Sequence, residues 1–382
     1  MMFRIVMATV LALAVCWGCT TSEQQQQGRE FYLFVGTYTG EASKGIYLYK
    51  FNVSDGTTDS LGLAAETANP SYLALSPDEN YLYAVSEMAD PSEATVSAFA
   101  FDRQEERLRY LNSVSSQGGA PCYVSVDTNG RTVFAGNYLE GSLAVFPVEE
   151  DGSLQESKTV VEHEGSSADP SRQKQPHVHC TYISPDNRYL FVADLGTDEL
   201  KTYNFYQEQV ALATKPTYVY ETEPGAGPRH LTFHPNGEFA YLVNELNGTV
   251  VALDKTGREL HPIEIVSTLP EDYDGAISGA DIHVSPDGRY LYVSNREDLN
   301  NIVIYAISQE TGELDKIDQI STGGVHPRNI TIDPTGNYLL VANRHSDNVV
   351  IFKRDMETGG LTPTGTELNI SQPVCLKMAA AE

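Results

Sequence analysis

The chain has 382 residues, 41% of them apolar and 20% charged, which is an ordinary globular balance. Lysine and arginine number 25 against 52 aspartates and glutamates, giving a formal net charge of −27. A surface that acidic argues against nucleic acid and anionic membranes as main partners, but leaves room for a small anionic ligand wherever arginines gather.

Residues 1–18 carry Arg4 in a short basic start, an apolar run through Val15, and Trp17-Gly18 before Cys19. The run is too short to span a membrane and reads as a signal peptide. It resembles a bacterial lipoprotein signal with Cys19 as the lipidated residue. Three residues before Cys19 stands Cys16 in place of the usual leucine, so Cys16 is the fallback. With residues 19–30 as a polar linker, the protein is expected to be an exported periplasmic or cell-envelope lipoprotein, meeting membrane only through its lipid.

From residue 31 onward the chain repeats with a period of about fifty residues. Six segments align: SPDENYLYAVSE from Ser76, DTNGRTVFAGNY from Asp127, SPDNRYLFVADL from Ser184, HPNGEFAYLVNE from His234, SPDGRYLYVSNR from Ser285 and DPTGNYLLVANR from Asp333. Each begins with a turn, follows an alternating strand such as APCYVSVDT or HPRNITIDP, and precedes a third strand such as TVVALD or VVIFKR. The 22 tyrosines and single tryptophan suit strands rather than helices. Four antiparallel strands per repeat without helices predict an all-β propeller. FYLFVGTYTGEASKGIYLYKFN (31–52) reads as strands two and three of a further unit, and SQPVCLKM (371–378) as its first strand. Joined, they make a seventh blade closed by both N- and C-terminal strands, so 31–382 is a single seven-bladed domain without exposed sheet edges. Cys122, Cys180 and Cys375 fall inside apolar strand patterns and are expected to be buried free thiols.

In such a ring the start of each first strand and the end of each second strand open on one face, around the channel. The residues there differ from blade to blade: Pro70-Ser71 with Glu87, Pro121-Cys122 with Asn137-Tyr138, His177 and His179 with Asp194, Arg229-His230 with Asn244-Glu245, Asp281 with Asn295-Arg296, Arg328 with Asn343-Arg344, and Tyr38 in the composite blade. Histidines, arginines and acids gathered at one channel mouth suit a pocket that binds an anionic small molecule and handles protons. GPRHLTFHPNGEFAYLVNE (227–245) folds at Pro235-Asn236-Gly237, so Arg229 and Glu245 meet at the same end of a hairpin. That meeting is either a working site or a structural ion pair. Asp194 reads first as a turn-capping acid, and His230 as lying behind Arg229. The SPDG residues are turn chemistry rather than calcium ligands. His177 and His179 alternate as on one strand face, but no further His or Cys stands near to complete a metal site, and no cofactor is expected. The insertion at about 162–175, with His163, Glu164 and Asp169, is expected to be a surface loop and a candidate lid. No GxSxG, HExxH, Walker or GxGxxG pattern competes.

PHVHCTYISPDNRYLFVADLGTD, GPRHLTFHPNGEFAYLVNE, IHVSPDGRYLYVSNR and HPRNITIDPTGNYLLVAN, together with VGTYTG near the start, resemble the seven-bladed propeller lactonase family. That family includes bacterial 6-phosphogluconolactonases and fungal 3-carboxy-cis,cis-muconate lactonizing enzymes. The resemblance covers the chain from residue 31. It implies metal-free hydrolysis or formation of a lactone at the channel mouth. The family's histidine, arginine and glutamate fall on His177 (or His179), Arg229 and Glu245. His179, Asp194, His230, Arg296 and Arg328 stand as binding residues. Two features depart from a simple transfer: the fifth blade opens with SGAD in place of an arginine, and an exported protein would not meet the cytosolic 6-phosphogluconolactone. The expected activity is hydrolysis of a sugar-derived lactone, with Glu245 or a histidine activating water, and Glu245→Gln abolishing turnover with little loss of stability. The alternatives are a non-catalytic exported propeller that binds a sugar acid or a protein, a muconate-type lactonizing isomerase and, further off, a calcium-dependent gluconolactonase of six blades.

Overall fold

The computed structural model describes residues 30–381; the expected signal peptide (1–18), Cys16, Cys19 and the expected linker up to residue 29 lie outside the described residues. Within them the chain forms seven antiparallel sheets arranged as blades. Counted from the first complete repeat, the inner strands are Leu73–Leu75, Pro121–Val126, Val178–Ile183, Pro228–Phe233, Gly279–Val284, Pro327–Ile332 and Pro373–Ala380. The seventh blade pairs Pro373–Ala380 with Glu30–Thr37, which continues outward to Gly45–Asn52 and Thr57–Glu66. The first and last described strands therefore share one sheet, as the unpaired half-repeats predict. In the third blade the outermost strand is split into Ala211–Leu212 and Tyr218–Glu221, both paired to Glu199–Tyr206.

The repeated turn residues have one job. The side chain that opens the turn accepts the amide N–H of the first residue of the second strand: Ser76 from Tyr81, Ser184 from Tyr189 and Ser285 from Tyr290, each at 3.0 Å, and Asp333 from Tyr338 at 2.6 Å. The fourth turn position has a left-handed backbone, with φ of +69°, +74°, +72° and +77° at Gly130, Gly237, Gly288 and Gly336. The second strands are buried on both faces in blades two to six. Their side chains fill the wedges between blades, and this burial supplies the main stabilisation.

Around the channel the inner strands splay apart, so their backbones cannot pair with one another. Side chains satisfy the amides instead. Cys180 accepts from Leu231 N, Asp281 from Ile330 N, Asn329 from Leu376 N and Cys375 from Leu73 N. Each link runs from one blade to a later neighbour in the ring. All three described cysteines are free and buried, and two of them serve as these acceptors.

Candidate active site

The channel mouth is shaped by a fault repeated at the start of the inner strands. In six of the seven blades the pairing with the second strand slips by one residue near the start of the inner strand, and in four of these the extra residue is a side chain at or just beneath the mouth. Pro121 faces Asn137 but Tyr123 faces Gly136; Val178 faces Asp194 but Cys180 faces Ala193; Pro228 faces Asn244 but His230 faces Val243; Pro327 faces Asn343 but Asn329 faces Ala342. The extra residue has no cross-strand partner, and such bulges re-aim a side chain. These residues are Cys122, His179, Arg229 and Arg328. Cys122, His179 and Arg328 line a cavity of about 310 Å³ at the mouth. Arg229 lies just beneath it, 1% exposed.

A second set comes from the residue after the second strand in every blade but the third: Tyr38, Glu87, Tyr138, Glu245, Arg296 and Arg344 all line the same cavity. The asparagines that precede some of these positions are structural. Asn137 Nδ2 donates to Ser116 O at 2.9 Å, and Asn343 Nδ2 to Thr322 O at 3.3 Å. The residues that recur from blade to blade hold loops; those that do not recur face the pocket.

Glu245 is the centre of the charged set. Its Oε2 accepts from Arg229 Nε at 3.0 Å and Arg296 Nη2 at 2.8 Å, and its Oε1 accepts from Arg172 Nη2 at 2.6 Å. Burial works to raise the Glu245 carboxyl, but the Arg296, Arg229 and Arg172 guanidiniums around it hold it well below the usual carboxylate range. Two of the three guanidiniums have fixed second partners: Arg229 Nη1 donates to Ala280 O, and Arg296 Nη2 to Gly279 O at 3.0 Å. His179 is held neutral, well below the ordinary histidine value, first by burial and then by Arg229. Its Nδ1 is buried without a hydrogen-bond partner among the described residues, and the residue lines the cavity. Across the cavity, the Tyr38 hydroxyl donates to both oxygens of Glu87 at 2.8 Å. Arg344 lies 4.2 Å and Arg328 5.6 Å from the centre of the Tyr38 ring, and Arg328 Nη2 is 3.6 Å from Glu87. Arg172, Arg229, Arg296, Arg328 and Arg344 thus outnumber Glu87, Glu245 and Glu297 at the mouth of a strongly acidic protein.

The remaining sequence candidates sit as follows. His177 precedes its strand and stays at the rim, its ring stacked on Tyr138 at 4.3 Å and its Nδ1 2.7 Å from Tyr138 O. His179 occupies the bulge position equivalent to Arg229. Asp194 is buried outside the cavity: it accepts from His177 N at 2.7 Å and Gly196 N at 3.0 Å, and its Oδ2 is 2.6 Å from His163 Nδ1. His230 lies beneath the pocket, 2.7 Å from Asp281 Oδ1, and burial followed by Arg229 lowers it to about 3. Asp281 is the hub of that lower layer, also taking the amide of Ile330 and the side-chain amide of Asn329. His163, expected on a surface loop, is buried instead, because its other nitrogen is 2.9 Å from the Tyr203 hydroxyl. Among the described residues no group of three or more His, Cys, Asp or Glu is placed to hold a metal ion.

Arg172 was not among the sequence candidates. It sits on the insertion before blade three, which has no counterpart in the other repeats. It reaches Tyr138 OH at 3.2 Å as well as Glu245, bridging blades two and four across the mouth. The insertion is anchored by buried Gln173, which donates to Leu195 O at 2.8 Å and Asp198 Oδ1 at 2.7 Å, and accepts from Asp169 N at 2.9 Å.

Residues 32–378 match the family model for the seven-bladed β-propeller lactonases. The 6-phosphogluconolactonase of Bacillus subtilis is 37% identical over 346 residues, 90% of this chain and 97% of that relative. The 6-phosphogluconolactonase of Formosa agariphila is 35% identical over 349 residues, 91% of this chain and 99% of that relative. Among solved structures, the periplasmic gluconolactonase of Pseudomonas aeruginosa superposes with a TM-score of 0.87 at 35% identity, covering 92% of this chain and 100% of that one. The chain belongs to the seven-bladed propeller lactonase family.

Proposed function

We propose that the protein hydrolyses a sugar-derived lactone to the corresponding aldonic acid at the channel mouth. The observation that carries this reading is a carboxylate, Glu245, kept ionised by three guanidiniums and set beside a neutral histidine in a cavity of sugar size. Glu245 directs a water at the lactone carbonyl and takes its proton as the water oxygen bonds to carbon. The tetrahedral oxyanion forms against the arginines. The ring C–O bond then breaks, and the ring oxygen leaves as a hydroxyl with the proton that Glu245 took. The new acid ionises at neutral pH, so each turnover releases one proton. In this reading His179 contacts the substrate, Arg229 and Arg296 hold Glu245, Arg328 and Arg344 face anionic groups of the substrate, and His177 sets the Tyr138 ring.

Export and a lipid anchor at Cys19 place the activity in the cell envelope in the same reading. The signal-like run of residues 1–18 supports it, as does the periplasmic gluconolactonase relative.

The test is acid release in a pH-stat by the mature domain, against 6-phosphogluconolactone, glucono-lactone, galactono-lactone and muconolactone. Spontaneous hydrolysis is subtracted. Turnover that disappears in Glu245→Gln supports the reading and names the substrate class. No turnover on any lactone, with saturable binding of a sugar acid, replaces it with a binding propeller.

A further inference from the structure

Glu245 and its three arginines pose a problem for the reading above. A carboxylate held that far below its ordinary range is a weak base, and both its oxygens are engaged. Oε2 is committed, because Arg229 and Arg296 are 1% and 6% exposed and each has a backbone carbonyl as second partner. Oε1 is engaged by Arg172 alone.

Arg172 differs from the other two in every respect that decides mobility. Its side chain is 40% exposed, and it has no backbone partner for its guanidinium. Its main chain is nevertheless fixed. Gln173 beside it is fully buried and bonded on both sides, and Asp198 ties the same loop to Gly225 N at 2.6 Å and Gly227 N at 2.7 Å. A fixed Cα with a half-exposed guanidinium makes a side chain that can change partner without moving its loop.

We propose that Arg172 is an exchangeable clamp: it caps Glu245 Oε1 until substrate enters, then turns to the oxyanion and carboxylate formed from the lactone. This rests on the lactonase reading and adds to it a residue that senses the reacting carbonyl. Release of Oε1 opens the position a hydrolytic water needs, and removes one of the cations that suppress Glu245 as a base. Arg229, Arg296, Arg328, His179 and Tyr138 remain around the carboxylate in both arrangements. The chemistry recognised is a carboxylate next to a polyol chain, presented where the lactone carbonyl was. Planar bidentate pairing suits a guanidinium to that group better than an ammonium.

The experiment is calorimetric titration of gluconate into the full domain, for wild type, Arg172→Gln, Arg172→Lys and the exposed loop neighbour Lys174→Gln, repeated in a Glu245→Gln background. Loss of one charge-assisted contact is expected to weaken gluconate binding about tenfold or more in Arg172→Gln, with partial recovery in Arg172→Lys and no change in Lys174→Gln. In the Glu245→Gln background Arg172 is free from the start, so gluconate binds more tightly and the loss on removing Arg172 is larger. If the Glu245 variants fail to fold, the two single Arg172 variants carry the test. Gluconate binding within twofold of wild type in Arg172→Gln overturns the clamp, as does a wild type that binds no gluconate. Lactone turnover is read separately: gluconate binding that depends on Arg172 without turnover keeps Arg172 as a carboxylate-binding residue, but defeats the lactonase reading and with it the turn to an oxyanion.

Discussion

His179 and Arg229 are the same residue of the fold: each is the extra position in the slipped pairing that opens its blade's inner strand, in adjacent blades. One is a neutral imidazole with an unpartnered nitrogen, the other a guanidinium bonded to Glu245. The ring thus offers equivalent sockets, and the side chain set in each socket makes the chemistry.

Glu245→Gln tests the centre of the site. Turnover is expected to fall by about 10²–10⁴. Burial changes the expectation for stability drawn from the sequence alone. Arg229 and Arg296 would be left buried without a counter-charge, which costs about 3–5 kcal/mol. Urea unfolding beside the pH-stat assay checks both, and a folded variant with wild-type turnover removes Glu245 from the mechanism.

Stability should depend on acid in two stages. Burial first and Arg229 next keep His179 and His230 neutral, so below about pH 6.5 the unfolded chain binds protons that the folded one does not. Stability then declines by up to about 1.4 kcal/mol per pH unit for each histidine. Glu245 and Asp281 act lower. Burial works to raise both, yet Arg296, Arg229 and Arg172 hold Glu245 low, and His283 and the hydrogen bond with His230 hold Asp281 low. Their contribution is present above their unfolded values near pH 4 and is lost as pH falls through the folded ones. Calorimetric melting from pH 8 to pH 3 should show a flat region, a decline from about 6.5 and a steeper one below about 4.5. A melting temperature unchanged between pH 7 and pH 5 contradicts the histidine assignment.

Among the described residues no carboxylate lies within salt-bridge distance of Arg344, which faces the cavity over Tyr38. Arg344→Gln should lower kcat/KM about tenfold for a lactone carrying a phosphate or carboxylate, and less than about threefold for a neutral one. An equal loss on both substrates would show that this side of the pocket does not read charge.

Asp198 holds the Arg172 loop through Ser167 Oγ at 2.5 Å and Gln173 Nε2, and fastens it to Gly225 and Gly227. Asp198→Ala should speed hydrogen exchange across residues 163–177 and raise KM severalfold, at about 1–3 kcal/mol in stability. Unchanged exchange there would mean that the loop is fixed by other contacts.

The fold was legible because each blade repeats its turn chemistry, and the two half-repeats could only complete one another. Most of the pocket was legible for the opposite reason: Tyr38, Glu87, Tyr138, Glu245, Arg296 and Arg344 break a repeated pattern at one position. Two things escaped. Arg172 and the burial of His163 belong to an insertion with no repeat to align, where reach and anchoring come only from tertiary contacts. The distinction between His177 and His179 turns on a one-residue slip in pairing, and alternation assumes a strand that does not slip.

The shared seventh blade has a consequence for how the protein is made. Tyr38 is fixed by its amide's bond to Gln372 O, and Leu73 of the first blade by Cys375. Tyr38 is therefore synthesised early, yet it takes its place over Arg344 only when the strand at Pro373–Ala380 arrives. A ribosome that stalls short of that strand releases a chain with most blades formed, an open sheet edge and no complete pocket. The ring has to be finished before any of it can work, so a protease clipping the last strand should silence activity as surely as a change at Glu245.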